Sequence, residues 1–396
     1  MQDTKLTGDK NGSKPNGLQG DGVKGVLVGL AFYGFVCVAQ SAAIEHGGLV
    51  DAESGEVSPD VAHVVNNFRT LLDGSRVIVV NAGGDERREL AKIESFLARH
   101  KEIADAPEIL QAVKAQFRTN RVGFSFPIWL SDDSAKGNAC VLGVRPKEAL
   151  SFKSLVSAKI AQPLIAGSRV RPIDNEVIRA SVIAHEMFHC YEYLKGSSHD
   201  FWSKAMKMRG AYATHRSESA ADAYAALYVL QNFDAKPSLR TLMEFRKLGM
   251  LNSDVEHNTS QTVEFLLKTF DWEQLVKLSS DELVRMAAAI SEDKAMSEKS
   301  FLAMKKSAID VTSAYQGLLA EYPELDIKQW QKQLRIETAM SMLVDAPQDP
   351  RLEAQILNEI TASLYRIGAG TAVSSRHFQS LLERYFNHAS SLGISH

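Results

Sequence analysis

The sequence predicts an α+β fold with a small sheet in its N-terminal half and a mostly helical C-terminal half. Three observations carry this expectation. Short apolar or alternating runs bounded by turn residues lie at 75–81, 122–130 and 139–144, the pattern of β-strands. Apolar residues at 85–119 and 175–194 recur instead at helical spacing, which is the pattern of helices with one buried face. From Pro237 onward the pattern stays helical, with breaks near 249–258, 322–323, 347–350 and 368–370. Strands followed by a run of helices define the α+β class.

Taken in order, residues 1–24 are polar and rich in Gly, Lys, Asn and Asp, a composition that cannot bury enough apolar surface to order itself. Gly25 to Ala39 is an uncharged run of 15 residues after Lys24. That is short for a membrane span, which needs about 20 residues, and suits the core of a signal peptide. Residues 1–45 therefore read as a polar lead with a signal or anchor segment, placing the chain in a secreted, periplasmic or membrane-anchored setting. The alternative is a buried element of a cytoplasmic protein. Residues 61–73 read as a helix, and Ser75 to Asn81 as a buried strand closed by Gly83-Gly84. In 122–130 the alternation of Phe124, Phe126 and Ile128 marks one face of a strand. A short helix–strand region at 147–171 leads to Asp174, a start signal for the helix at 175–194. A second helix is expected over 216–231.

Composition excludes several functions and selects none. Hydrophobic residues make up 45% and charged residues 23%, with a formal charge of −3. No basic surface recruits nucleic acid on that balance. Three cysteines are too few for a disulfide scaffold. Cys37 lies in the apolar run. Cys140 and Cys190 are expected as buried free thiols, a disulfide between them being possible only in an oxidising compartment.

The chemistry concentrates in His185-Glu186-Met187-Phe188-His189. Residues four apart on a helix project from one face about one turn apart, so His185 and His189 can bind one zinc ion. Glu186 can act as a base beside the metal without binding it, taking a proton from a zinc-activated water. The motif alone is a weak pattern. Here it follows Val182-Ile183-Ala184, which buries its helix at least in part. Downstream, Glu218 and Asp222 are again four apart, among Ala220, Ala221, Ala223, Ala225 and Ala226. Glu218 is the candidate third ligand. Asp222 is the candidate acceptor for the free ring N–H of a metal-binding histidine.

His185-Glu186-x-x-His189 followed by Glu218-x-x-x-Asp222 resembles the gluzincin metallopeptidases. The resemblance covers residues 75–232 and identifies no particular family. It implies a zincin-like fold, with a twisted sheet whose edge strand lines a cleft, a general base at Glu186 and a zinc ligand at Glu218. It further implies one Zn²⁺ per chain and a peptide or protein as substrate. On this reading residues 60–235 form a zincin-like catalytic domain, and 236–396 a helical lobe that walls the cleft.

Other residues compete for roles. His257 is a candidate oxyanion stabiliser, the alternative being a plain loop histidine. His199 is the alternative third ligand, because Ser198-His199-Asp-Phe-Trp202 looks like the third-ligand segment of the Spartan-type DNA–protein crosslink proteases. The metzincin spacing is absent, Lys195 standing where its third histidine would fall. His215 is expected to be exposed ahead of the second helix, and Tyr191, Tyr193 and Tyr224 to serve packing. The competing functions are a catalytically silent zincin-like sensor or binding module, and a membrane-tethered helical interaction protein that uses residues 25–39.

Overall fold

A computed structural model describes residues 49–51, 54–72, 74–100, 106–118, 123–128, 138–146, 173–195, 199–321, 343 and 349–368. The run at 25–39 and the region at 147–171 lie outside the described residues. The elements are α1 (Pro59–Asn66), β1 (Arg76–Asn81), α2 (Glu86–Arg99), α3 (Ala106–Arg118), β2 (Gly123–Ile128), β3 (Ala139–Val144), α4 (Asn175–Lys195) and α5 (His199–Phe233). They continue with α6 (Lys236–Gly249), α7 (Ser260–Thr269), α8 (Trp272–Leu275), α9 (Ser280–Lys294), α10 (Glu298–Glu321) and α11 (Pro350–Gly368). The class is α+β, as expected.

Local chemistry sets several of these boundaries. The Asp85 side chain accepts from Arg87 N and Arg88 N at the start of α2, and Asp174 accepts from Glu176 N at the start of α4. Each satisfies helix donors that have no partner within the helix. Ser279 and Glu282 close a reciprocal capping box on α9. The helix expected at 61–73 is shorter and earlier, because Pro59 opens it and turns follow from Asn67. The second helix extends further back than 216. Its path breaks at Gly210, whose φ of 49° and ψ of −128° belong to a region that side-chain-bearing residues avoid.

The sheet runs in the order β1-β3-β2. β1 lies parallel to β3, and β2 lies antiparallel to β3 at the edge. Alternation divides the side chains between two cores. Ile78, Val80, Phe124, Ile128, Ala139 and Val141 pack with α2 and α3 on one face. Val77, Val79, Cys140, Leu142 and Val144 join the larger core on the other, which takes in α4, α5 and the helices after residue 236.

Two devices hold α4 on this platform. The buried guanidinium of Arg179 binds the Asp60 carboxylate, the Arg145 carbonyl and Ser58 Oγ, tying α4 to α1 and to the end of β3. Cys140 and Cys190 are both fully buried but are joined in a disulfide, with Cα atoms 5.5 Å apart. This corrects the expectation of free thiols: the register of β3 sets Cys140 directly beneath α4. The bridge closes a loop with a sequence separation of 50, for which chain entropy gives about 4 kcal/mol of stabilisation as an upper figure. The Cys140→Ser/Cys190→Ser variant is expected to lose up to that amount in denaturant unfolding. Unreduced, unfolded protein should titrate with one free thiol; finding three would contradict the bridge.

A second buried feature ties the C-terminal helix to the rest. Glu353 on α11 is 1% exposed and accepts from Asn258 Nδ2 at 3.2 Å. Burial pushes its carboxyl up to about 7, against the opposing pull of Lys247 and Asn258. The folded state therefore holds a proton that the unfolded chain releases near the ordinary value. This contribution is fully present below about pH 4.5, is lost as pH rises through about 7, and is on the order of 3 kcal/mol. Glu353→Gln should flatten the fall in stability between pH 5 and 8, as read by melting curves. An unchanged slope would contradict the assignment.

Candidate metal centre

His185 and His189 stand one turn apart on α4, and both are buried. Their partner comes from α5, where Ala220, Ala221, Ala223, Ala225 and Ala226 are all buried. Methyl side chains let two helix backbones approach closely, and the approach carries Glu218 to the two imidazoles. His185 Nε2 lies 3.2 Å from His189 Nε2. Glu218 Oε2 lies 3.2 Å from His185 Nε2, and Oε1 lies 3.4 Å from His189 Nε2. One candidate ligand atom from each of the three residues lies within 4.8 Å of the others, and the group could bind a metal ion.

Two observations favour an ion there. Glu218 Oε2 is enclosed by protein yet accepts no hydrogen bond, an arrangement that costs free energy unless something else satisfies it. The distal ring nitrogens are also committed elsewhere. His185 Nδ1 lies 2.7 Å from Asp222 Oδ1, and carboxylates only accept, so this nitrogen carries a proton and Nε2 is the nitrogen turned toward Glu218 and His189. His189 Nδ1 lies 3.1 Å from Ser217 Oγ and 3.3 Å from Glu192 Oε2. Ser217 Oγ in turn donates to Glu192 Oε2 at 2.5 Å.

The electrostatics follow from this crowding. Burial alone would lower the histidine pKa values and raise that of Glu218. Neighbouring charge outweighs it: Asp222 and Glu218 shift His185 up, Glu218 shifts His189 up, and His257 with the two histidines holds Glu218 well below the carboxylate range. Burial likewise opposes ionisation of Asp222, but Arg246 and His185 hold its carboxyl low. Asp222 accepts from three sides: His185, Arg246 Nη2 at 2.6 Å and the Thr259 hydroxyl.

The structure brings together His185, His189, Glu218 and Asp222, with the sequence candidate His257 beside them. Its Nε2 lies 3.3 Å from Glu218 Oε1, while Nδ1 engages Asp254. Burial is outweighed by Glu218 and Asp254, and the His257 imidazole is pushed up to about 10. His257 is not a member of the three-residue ligand group. Glu186 is not a member either, and its Oε2 accepts from Ser125 Oγ at 2.9 Å. The His199 side chain lies outside the described residues.

His215 departs from expectation. It sits inside α5, 1% exposed, stacked against Tyr212 and Phe301. Extending α5 back to Gly210 turned an expected pre-helical residue into a core one. Burial lowers its pKa to about 4, keeping it neutral. Tyr191 and Tyr224 pack against Phe68 and Phe188 as expected, whereas the ring of Tyr193 stacks on His189.

Five further neighbours of the site carry little or no mark in the sequence. Glu192 had a signal, since it lies three residues after His189 on the same helix. Ser125 had one too, in the alternation of β2. Ser217 adjoins Glu218, but a serine beside an acid is common. Arg246 and Thr259 arrive from distant segments with no sequence mark.

No protein-family model, curated protein or solved structure matches the chain. Among the described residues, no helix is long and apolar enough to cross a membrane.

Glu218→Ala is expected to weaken metal binding at least about tenfold, and Asp222→Asn about 10- to 100-fold, as orienting partners of metal-binding histidines do. Competition with a metallochromic chelator measures both. Wild-type affinity in the Glu218 variant would exclude it as a ligand.

Proposed function

We propose that this chain is a zinc-dependent metallopeptidase with a zincin-like core, its metal held by His185, His189 and Glu218. The observation that carries the reading is the spacing of the donors. A tetrahedral zinc with bonds of about 2.0–2.1 Å sets its donors about 3.3–3.4 Å apart. Here the two Nε2 atoms are 3.2 Å apart, and each faces a different oxygen of the one carboxylate, Glu218 Oε2 at 3.2 Å from His185 and Oε1 at 3.4 Å from His189. Two imidazoles and one carboxylate suit zinc in a catalytic setting, where three protein ligands leave a position open.

Bound there, zinc supplies Lewis acidity toward water and toward a carbonyl oxygen. The remaining roles belong to the chain. Glu186 follows a ligand on α4 but is not itself a ligand, so its carboxylate can take a proton from water and deliver it to the departing amine. Asp222 keeps His185 in one tautomer, and the Ser217–Glu192 pair does the same for His189. His257 lies beside Glu218 on the 254–259 loop, from where an imidazolium can donate to negative charge developing near the metal. The gluzincin resemblance of the two motifs supports these assignments. The disulfide between Cys140 and Cys190 supports residence in an oxidising compartment, in keeping with a signal or anchor role for residues 25–39.

Purified, zinc-replete protein should carry about one zinc per chain by elemental analysis. It should also cleave a denatured protein or a quenched peptide library. Glu186→Gln should retain the metal and lose about 10²- to 10⁴-fold in kcat. Bound zinc with no hydrolysis of any peptide would leave a silent binding module, and no bound zinc would remove the site.

A further inference from the structure

The edge strand β2 reaches the base that the proposed mechanism depends on. Its alternation sends Phe124 and Ile128 toward α2 and α3, which turns Gly123 and Ser125 toward α4. Gly123 marks how close the two elements come. A methyl group there would stand 2.5 Å from Val182 Cγ1 and 3.2 Å from Glu186 Cγ, so only a residue without Cβ lets this strand lie against this turn of the helix. Two residues on, Ser125 Oγ donates to Glu186 Oε2 at 2.9 Å. The Ser125 hydroxyl also engages the Tyr193 hydroxyl, whose ring stacks at 18° on His189 with centroids 6.2 Å apart.

The direction of this chain follows from the donor inventory. A carboxylate only accepts and a serine has one proton, so that proton goes to Glu186 and the tyrosine proton goes to serine. The base is thus joined through Ser125 to a ring resting on a metal-binding histidine. Serine is also an unexpected choice in a strand between two phenylalanines, where aromatic and β-branched residues fit best.

We infer that Ser125, backed by Tyr193, is a positioning residue that fixes Glu186 in one rotamer, committing Oε2 to the strand and leaving Oε1 to face the reacting water. The inference rests on Glu186 being the base of the proposed peptidase. Ser125 touches neither metal nor substrate in this role. A free glutamate would sweep several rotamers, and proton transfer requires the base within hydrogen-bond reach of the water in most encounters. A geometric defect of this kind lowers turnover without changing how substrate binds.

The test uses the full chain loaded with zinc. Ser125→Ala is expected to lower kcat by about 10- to 100-fold, with KM within about twofold, metal content unchanged and the melting temperature preserved. Ser125→Thr keeps the hydroxyl and should recover most of the loss, while Tyr193→Phe should fall between. A kcat within twofold of wild type in Ser125→Ala overturns the inference, as does a loss that follows reduced metal content or stability. A second readout does not depend on turnover. Crystal structures of the zinc-loaded proteins should show Glu186 in one rotamer on Ser125 in the wild type and in several in Ser125→Ala. The same single rotamer in both proteins, or a wild-type Glu186 turned away from Ser125, overturns the positioning role. A wild type that cleaves no peptide would defeat the peptidase reading instead, while the rotamer comparison still decides what Ser125 does.

Discussion

Placing the Glu218 carboxylate between the imidazoles of His185 and His189, where water hardly reaches, is the constraint around which the rest of the molecule is arranged. Removing charged groups from water costs several kcal/mol per ion unless neighbours replace the lost solvation. The replacements come from every element that touches the site. Asp222 takes the far side of His185, and the Ser217–Glu192 pair takes the far side of His189. Arg246 offsets the negative charge that Asp222 brings. Each group added to satisfy one partner needs a partner itself, and the network closes only where Thr259 and Arg246 meet Asp222. One carboxylate oxygen, Glu218 Oε2, is left out of that closure, at the point where an ion would complete it.

This network explains why the helices after residue 236 are needed at all. Two helices could present two histidines and a glutamate, but α4 and α5 alone would leave Asp222 facing solvent. Arg246 from α6 and the 254–259 loop cover it, and the loop is anchored from behind by Asn258 on Glu353 of α11. The C-terminal helices thus share one core with α4 and α5 and form the back of the site. A buried glutamate that holds its proton to about pH 7 is tolerated there because it ends a hydrogen-bonded chain and carries little charge when protonated.

What the sequence made legible follows the range of the forces involved. His185 and His189, and Glu218 and Asp222, are pairs within single helices, and helical periodicity alone places their members on a common face. Strand positions were legible for the same reason, since alternation reports burial locally. What was hidden depends on contacts between distant segments. Arg246 and Thr259 are unremarkable in sequence because nothing near them requires a charge or a hydroxyl. His215 was misplaced because the second helix starts earlier than its apolar spacing indicated, which moved a histidine from an expected solvent-facing approach into an aromatic stack. Cys140 and Cys190 each sit in apolar context, as a free buried thiol would, and only the strand register shows that they face one another.

The remaining question is why α4 lies between a sheet and a helical layer instead of at the surface of either. Successive residues on a helix point about 100° apart, so a helix that directs His185 and His189 into α5 cannot direct Glu186 the same way. Glu186 must meet a different neighbour, and β2 supplies it through Ser125. Cys190, next after His189, turns away from α5 by a similar angle and is fastened to β3. The motif therefore demands two supporting surfaces at once: a helix with small residues on the side of the histidines and a closely apposed strand on the side of Glu186. Gly123 at the strand and the alanines of α5 are the same solution applied to both surfaces. Each removes side-chain bulk where a backbone must come near α4, and so each sets how accurately His185, Glu186, His189 and Glu218 are held relative to one another.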